Sequence, residues 1–157
     1  MRIGHGIDVH RFSEDATREL RLGLVRIDGS VGLVGHSDAD VATHALIDAL
    51  LGGANLGDIG RHFPDSDPEF EGIASRDMLV EVMHRVALAG FRPISADVTI
   101  VAERPKLSEF MAGMSEELSD VLGCVVSVKA TTAEGLGALG RVEGIAATAV
   151  ALLEELS

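Results

Sequence analysis

The sequence predicts a single α/β domain in which helices cover one face of a sheet. Three observations carry that expectation. Apolar, β-branched runs alternate along the chain with Ala- and Leu-rich segments of helical spacing. No repeat, low-complexity tract or break in composition divides the 157 residues, so residues 1–157 read as one domain. A hydrophobic content of 46% suffices for a packed core, and with five Phe, no Trp and no Tyr that core must be aliphatic.

The elements follow in order. Arg2 to Arg11 reads as a strand and Leu20 to Ile27 as a second, joined by the polar stretch Ser13-Glu14-Asp15-Ala16-Thr17. The segment from Gly35 to Asp40 carries N-cap chemistry and predicts a helix over Val41 to Leu51, ended by Gly52-Gly53. Asn55 to Asp67 is a turn-rich loop of the kind that carries function. Met78, Leu79, Val82, Met83 and Val86 form the core face of a helix from Ser75 to Ala89, with Gly90 as its stop. Ala96 to Ala102 is a strand leading to Glu103-Arg104-Pro105-Lys106, Leu107 to Leu122 an amphipathic helix, and Val125 to Ala130 a further strand. The tail from Gly144 to Leu156 is ambiguous, and propensity alone favours helix there.

A net charge of −12 argues against nucleic acid, which needs a basic surface. An anionic small substrate would have its charge met locally, by metals, a few cations and helix N-termini. The lone Cys124 excludes an intrachain disulfide or a thiolate zinc cluster, and it reads as an inert packed thiol. The N-terminus has neither a long apolar segment nor an Arg/Ser-rich pattern, which makes a cytoplasmic protein with no membrane partner the expectation.

Asp8-Val9-His10 is the most informative motif. Alternate side chains of a strand share a face, so Asp8 and His10 project together, and His44 on the predicted helix would complete a three-ligand site. A zinc held by three residues keeps a position that can polarise a water or phosphate oxygen. Asp38, Asp40 and Asp48 flank His44, where they either orient its imidazole or, for the first two, cap the helix. His36-Ser37, at the expected helix start, directs an imidazole and a hydroxyl toward an anion, unless Ser37 is only a cap. Lys129-Ala130-Thr131-Thr132-Ala133-Glu134 offers a cation, two hydroxyls and a carboxylate, a set suited to phosphate and its Mg²⁺ or Mn²⁺, although a plain strand exit looks similar. Arg141 and Glu143 either pair with each other or line a polar pocket, while His5, His62 and His84 read as surface or packing residues. Motifs of serine hydrolases, thiol redox proteins and zincins are missing.

These blocks resemble the 2-C-methyl-D-erythritol 2,4-cyclodiphosphate synthase family of non-mevalonate isoprenoid biosynthesis. The likeness spans nearly the whole chain. It rests on the segment from Arg2 to His10, His36-Ser37-Asp38-Ala39-Asp40 with His44 and Asp48, Gly57-Asp58-Ile59-Gly60 and Phe63-Pro64-Asp65-Ser66-Asp67. Asp97-Val98-Thr99-Ile100, Pro105-Lys106, Lys129-Ala130-Thr131-Thr132 and the segment from Gly140 to Ala146 complete it. The resemblance implies a cyclase that converts 4-diphosphocytidyl-2-C-methyl-D-erythritol 2-phosphate into the cyclic diphosphate and CMP. It further implies Zn²⁺ on Asp8, His10 and His44, Mg²⁺ or Mn²⁺ on Glu134, and transition-state stabilisation by His36 and Thr132. Ser37 would contact phosphate, and Asp58, Ile59, Gly60, Phe63, Asp65 and Asp67 would surround the methylerythritol portion. Ala102, Pro105, Lys106, Leu107 and Thr131 would form the cytidine pocket, with Ala138 and Arg141 as further substrate contacts.

By the same resemblance the fold is mainly a four-stranded sheet, packed with its counterparts around a threefold axis in a homotrimer with active sites between subunits. The tail becomes a strand, and an isoprenoid diphosphate would enter the axial cavity near Ile7. The chain departs from the usual pattern at Ala133, Gly135 and Ala138, where Thr, Lys and an aromatic residue are more common, which is expected to loosen the nucleotide loop. Two other readings of the same residues are a metal-dependent nucleotide pyrophosphatase and a trimeric binding protein with a structural metal.

Overall fold

A computed structural model describes residues 1–156. The strands are β1 (Arg2–Arg11), β2 (Glu19–Leu22), β3 (Val25–Val31), β4 (Phe91–Val101), β5 (Val126–Thr131) and β6 (Gly144–Glu155). The helices are α1 (Val41–Gly53), α2 (Ile59–His62), α3 (Ser75–Leu88), α4 (Met111–Leu122) and α5 (Gly137–Gly140). Four strands form one sheet in the order β1-β6-β4-β5, antiparallel except for the parallel β4–β5 pair that α4 connects. Helices α1, α3 and α4 cover one face of it, so the single-domain mixed α/β architecture agrees with expectation. No helix among the described residues is long and apolar enough to cross a membrane.

Small residues set the distance between sheet and helix. A Cβ at Gly4 would lie 1.7 Å from the Ala49 carbonyl oxygen, and one at Gly6 would lie 2.0 Å from that of Ala45. Only glycine therefore lets α1 settle this deeply on β1. The Ala-rich β6 supports the same approach, with Ile145, Ala147, Ala149, Ala151 and Leu153 all buried. Its central place in the sheet overrides the helical propensity of the tail, because pairing on both edges and burial of alternate side chains outweigh a few tenths of a kcal/mol per residue.

Other boundaries shift for local reasons. The segment read as one strand from Leu20 to Ile27 is the hairpin β2–β3, turning at Gly23 and Leu24 with φ of 55° and 68°. The buried Asp40 carboxylate holds that turn by accepting the Gly23 and Leu24 N–H groups at 2.8 and 2.7 Å. β4 begins five residues before the expected Ala96, with a register shift at Pro93–Ser95 that interrupts the sequence pattern. α4 starts at Met111 rather than Leu107, because the preceding residues turn along a cleft. Opposite the helices, β1 and β6 expose Ile3, Ile7, Val9 and Val150.

Candidate metal centre and nucleotide cleft

The inward face of β1 carries Gly4 and Gly6 under α1, and beyond the helix contact the same face continues into Asp8 and His10. Close seating of α1 brings His44 to them. Asp8 Oδ2 lies 3.2 Å from His10 Nε2 and 3.1 Å from His44 Nδ1. One donor atom from each of the three residues lies within 4.8 Å of the other two. Ligand atoms about 2.0 Å from a tetrahedral zinc sit about 3.3 Å apart, so the two measured edges suit a divalent cation. Two imidazoles and one carboxylate leave a fourth position for a substrate oxygen.

Each imidazole is oriented from behind. His10 Nδ1–H donates to the Val34 carbonyl, which turns Nε2 toward Asp8. His44 Nε2 faces the Ser75 hydroxyl at 3.0 Å and that of Ser37 at 3.2 Å, leaving Nδ1 for Asp8. Ser75, fully buried, donates its own hydroxyl proton to Asp38. Asp38 thus orients His44 through Ser75. Asp40 instead caps α1, accepting from Thr43 N–H at 3.0 Å. Burial pushes the Asp8 carboxyl up, but hydrogen bonds and charge from His10 and His44 outweigh it and hold Asp8 far below the usual carboxylate range. The Asp8 hydrogen bond raises His10 above the ordinary histidine value against the opposing effect of burial. Asp48 is raised, first by burial and then by Asp58 and Asp8, despite accepting Ile59 N–H at 2.7 Å.

A cleft of about 310 Å³ opens over the triad and gathers His36, Ser37, Asp48, Ile59, Gly60, Phe63 and Asp65 around it. Phe70, Ile73 and Met78 add an apolar wall that the sequence motifs did not reveal. His36 and Ser37 do not sit at a helix N-terminus, since α1 begins at Val41 with Asp40 as its cap. The free helix N–H groups expected there are therefore not beside them, and both residues lie instead on a bent loop before α1. Asp58 and Asp67 stand outside the lining, where they cap α2 and the turn Pro68–Phe70.

A second cleft, of about 470 Å³, brings Ala102, Pro105, Lys106, Leu107 and Thr132 together with Glu103, Lys129 and Ala130. It shares no lining residue with the first. Thr131 ends β5, and its carbonyl accepts the Ala102 N–H at 3.0 Å. The exposed Glu134 carboxylate accepts the Thr132 hydroxyl at 2.9 Å. Glu103, absent from the expected site, accepts the Ala133 N–H at 3.2 Å and so ties this loop to the end of β4. Lys129 pairs with Asp97, and Arg141 pairs with Glu143 at 2.6 Å. Arg141 and Ala138 are exposed and line neither cleft. Burial raises the half-buried Cys124 thiol, consistent with a packed, unreactive group.

Comparison with known proteins agrees with this geometry. A family model described as the YgbB family matches residues 1–154. A protein of Syntrophobacter fumaroxidans named 2-C-methyl-D-erythritol 2,4-cyclodiphosphate synthase is 53% identical over 98% of this chain and 97% of its own length. A Symbiobacterium thermophilum protein of the same name is 54% identical over 98% of each. Among solved structures, one such synthase superposes with a TM-score of 0.88 at 38% identity, covering 98% of this chain and 100% of that one. Its CDP-bound form gives 0.87 at the same identity and coverage. The bifunctional IspDF of Campylobacter jejuni matches at a TM-score of 0.93 and 40% identity over 99% of this chain, which spans 42% of that longer protein. With its full-length likeness to these synthases, the chain belongs to the YgbB family.

Proposed function

We propose that the chain, acting as one catalytic domain over residues 1–157, converts 4-diphosphocytidyl-2-C-methyl-D-erythritol 2-phosphate into 2-C-methyl-D-erythritol 2,4-cyclodiphosphate and CMP. The observation that carries this reading is the Asp8–His10–His44 cluster sharing one cleft with His36 and Ser37, in a chain about half identical to synthases of that name. An oxygen of the 2-phosphate attacks the β-phosphorus, the bond from that phosphorus to the CMP oxygen breaks, and CMP leaves with the electron pair. Because nucleophile and electrophile belong to one substrate, the main task is to hold them in line.

Asp8, His10 and His44 would hold Zn²⁺, and Glu134 would hold Mg²⁺ or Mn²⁺. These ions supply Lewis-acid stabilisation of phosphate charge. His36 and Thr132 donate to the oxygens that gain charge, and Ser37 fixes a phosphate oxygen. Ile59, Gly60, Phe63 and Asp65 enclose the methylerythritol chain with Asp58 and Asp67 behind them. Ala102, Pro105, Lys106, Leu107 and Thr131 receive cytidine, where backbone groups read the base, and Ala138 and Arg141 are further substrate contacts.

The working enzyme is a cytoplasmic homotrimer whose sites join the metal cleft of one copy to the nucleotide cleft of the next. Two observations support the assembly. The clefts share no lining residue, and the sheet face opposite the helices leaves Ile3, Ile7 and Val9 72%, 62% and 62% exposed. An isoprenoid diphosphate binds in the axial cavity those faces enclose. The reaction is tested by ³¹P NMR with the cytidine diphosphate substrate and Mg²⁺ or Mn²⁺, with and without chelator. Chelator-sensitive formation of CMP and a cyclic diphosphate is expected, while CMP with an open-chain product would replace the cyclase by a hydrolase.

A further inference from the structure

Arg18 lies in the connection between β1 and β2, beside the metal cleft but outside its lining. Its Nη2 donates to the Gly35 carbonyl at 2.9 Å and to the Ser37 carbonyl at 2.6 Å. Those two carbonyls bracket His36. Its backbone joins the same latch, since the Arg18 carbonyl accepts Gly32 N–H at 2.7 Å. A Cβ at Gly35 would come within 3.1 Å of the His10 ring, so the clamped loop is pressed against a metal ligand. Ser37 joins both sides, with its carbonyl on Arg18 and its hydroxyl 3.2 Å from His44 Nε2.

Arg18 Nε is buried without a partner, the one such side-chain atom among the described residues. An unsatisfied, desolvated donor weakens the fold, so this guanidinium is poorly explained as a stabilising group alone. We propose that Arg18 is a positioning residue for the reaction, its guanidinium clamping the Gly35 and Ser37 carbonyls so that His36, between them, meets the reacting phosphates. Arginine suits the task because its charge persists at every working pH and its fork is rigid. Release of the clamp lets His36 drift, and misplacement by about 1 Å costs up to about a hundredfold in rate.

The inference rests on the reading of His36 as a transition-state donor, and a double-mutant cycle separates the two. In the zinc-loaded enzyme, Arg18→Met is expected to lower kcat about ten- to a hundredfold while KM changes by less than about threefold and zinc affinity is retained. In a His36→Ala background the same substitution should have little further effect. An equal loss in both backgrounds, or an unchanged kcat with His36→Ala impaired, would overturn the clamp. An unimpaired His36→Ala would instead overturn the reading beneath it. Should Arg18→Met not fold, Arg18→Lys carries the same cycle: it keeps the charge but shortens the reach, and an intermediate kcat at wild-type zinc affinity is the supporting result.

Discussion

The two clefts are built on opposite plans. The metal cleft is cross-linked within the chain: β1 supplies Asp8 and His10, α1 supplies His44, and Val34, Ser37, Ser75 and Asp38 fix the imidazoles. The second cleft, proposed for the nucleotide, stands on the ends of β4 and β5 and the turn after β4. The exposed loop beside it, from Thr132 onward, is held by Glu103 and by contacts within itself. Metal ligands must be placed to a few tenths of an ångström before the ion arrives, and prior orientation lowers the cost of binding. A loop that the proposed neighbouring subunit completes has no such requirement inside one chain. Rigidity here follows the chemistry, and openness marks where the proposed partner copy belongs.

That contrast can be broken first at its strongest point. Asp8→Ala removes the ligand that faces both histidines and is expected to lower turnover about 10³-fold, with zinc lost by metal analysis and fold and assembly retained by circular dichroism and light scattering. Gly6→Ala attacks the scaffold instead. Its methyl group would meet the Ala45 carbonyl and push α1 off β1, at a cost of about 3 kcal/mol in denaturant titrations together with weaker zinc binding as His44 retreats.

A smaller effect comes from pH. Zinc must displace the proton on His10 Nε2, whose affinity for that proton Asp8 has raised, so zinc affinity should fall about tenfold per unit as pH drops below the His10 pKa. Stability of the metal-free protein runs the other way. The raised His10 contributes fully below about pH 6.5 and loses its contribution as pH rises through its folded value. The depressed Asp8 contributes fully above about pH 4 and loses it only in stronger acid. Calorimetric titration of zinc across this range reads the first effect, and metal-free melting curves read the second. Least of all, Glu103→Gln should loosen the nucleotide loop, raising KM about threefold with zinc affinity unchanged.

Much of the metal cleft was legible in the sequence because it obeys local periodicity. Asp8 and His10 share a strand face by the two-residue repeat, and His44 lies on a helix whose start its N-cap announces, although the helix runs on through Gly52 and Gly53. The resemblance added the tail strand and the nucleotide residues, which composition did not reveal. What stayed hidden depends on tertiary contact. Ser75 looked like a helix start, yet its hydroxyl reaches His44 and Asp38, partners 31 and 37 residues away. Arg18 and Glu103 carry no motif, because each acts on a carbonyl or N–H group that the folded chain alone brings near. The β2–β3 turn was missed because Leu24 adopts a conformation that leucine avoids unless a carboxylate such as Asp40 holds it.

Subunit complementation tests the central claim, that one reaction needs the metal cleft of one copy and the nucleotide cleft of another. Asp8→Ala and the double variant Thr132→Ala/Glu134→Ala should each be nearly inactive alone. Unfolded together and reassembled in equal amounts, they should recover about a quarter of wild-type activity, since random assembly pairs two intact half-sites in one case of four. Activity no greater than the sum of the two separate variants would contradict sites shared between subunits and return the whole reaction to a single chain.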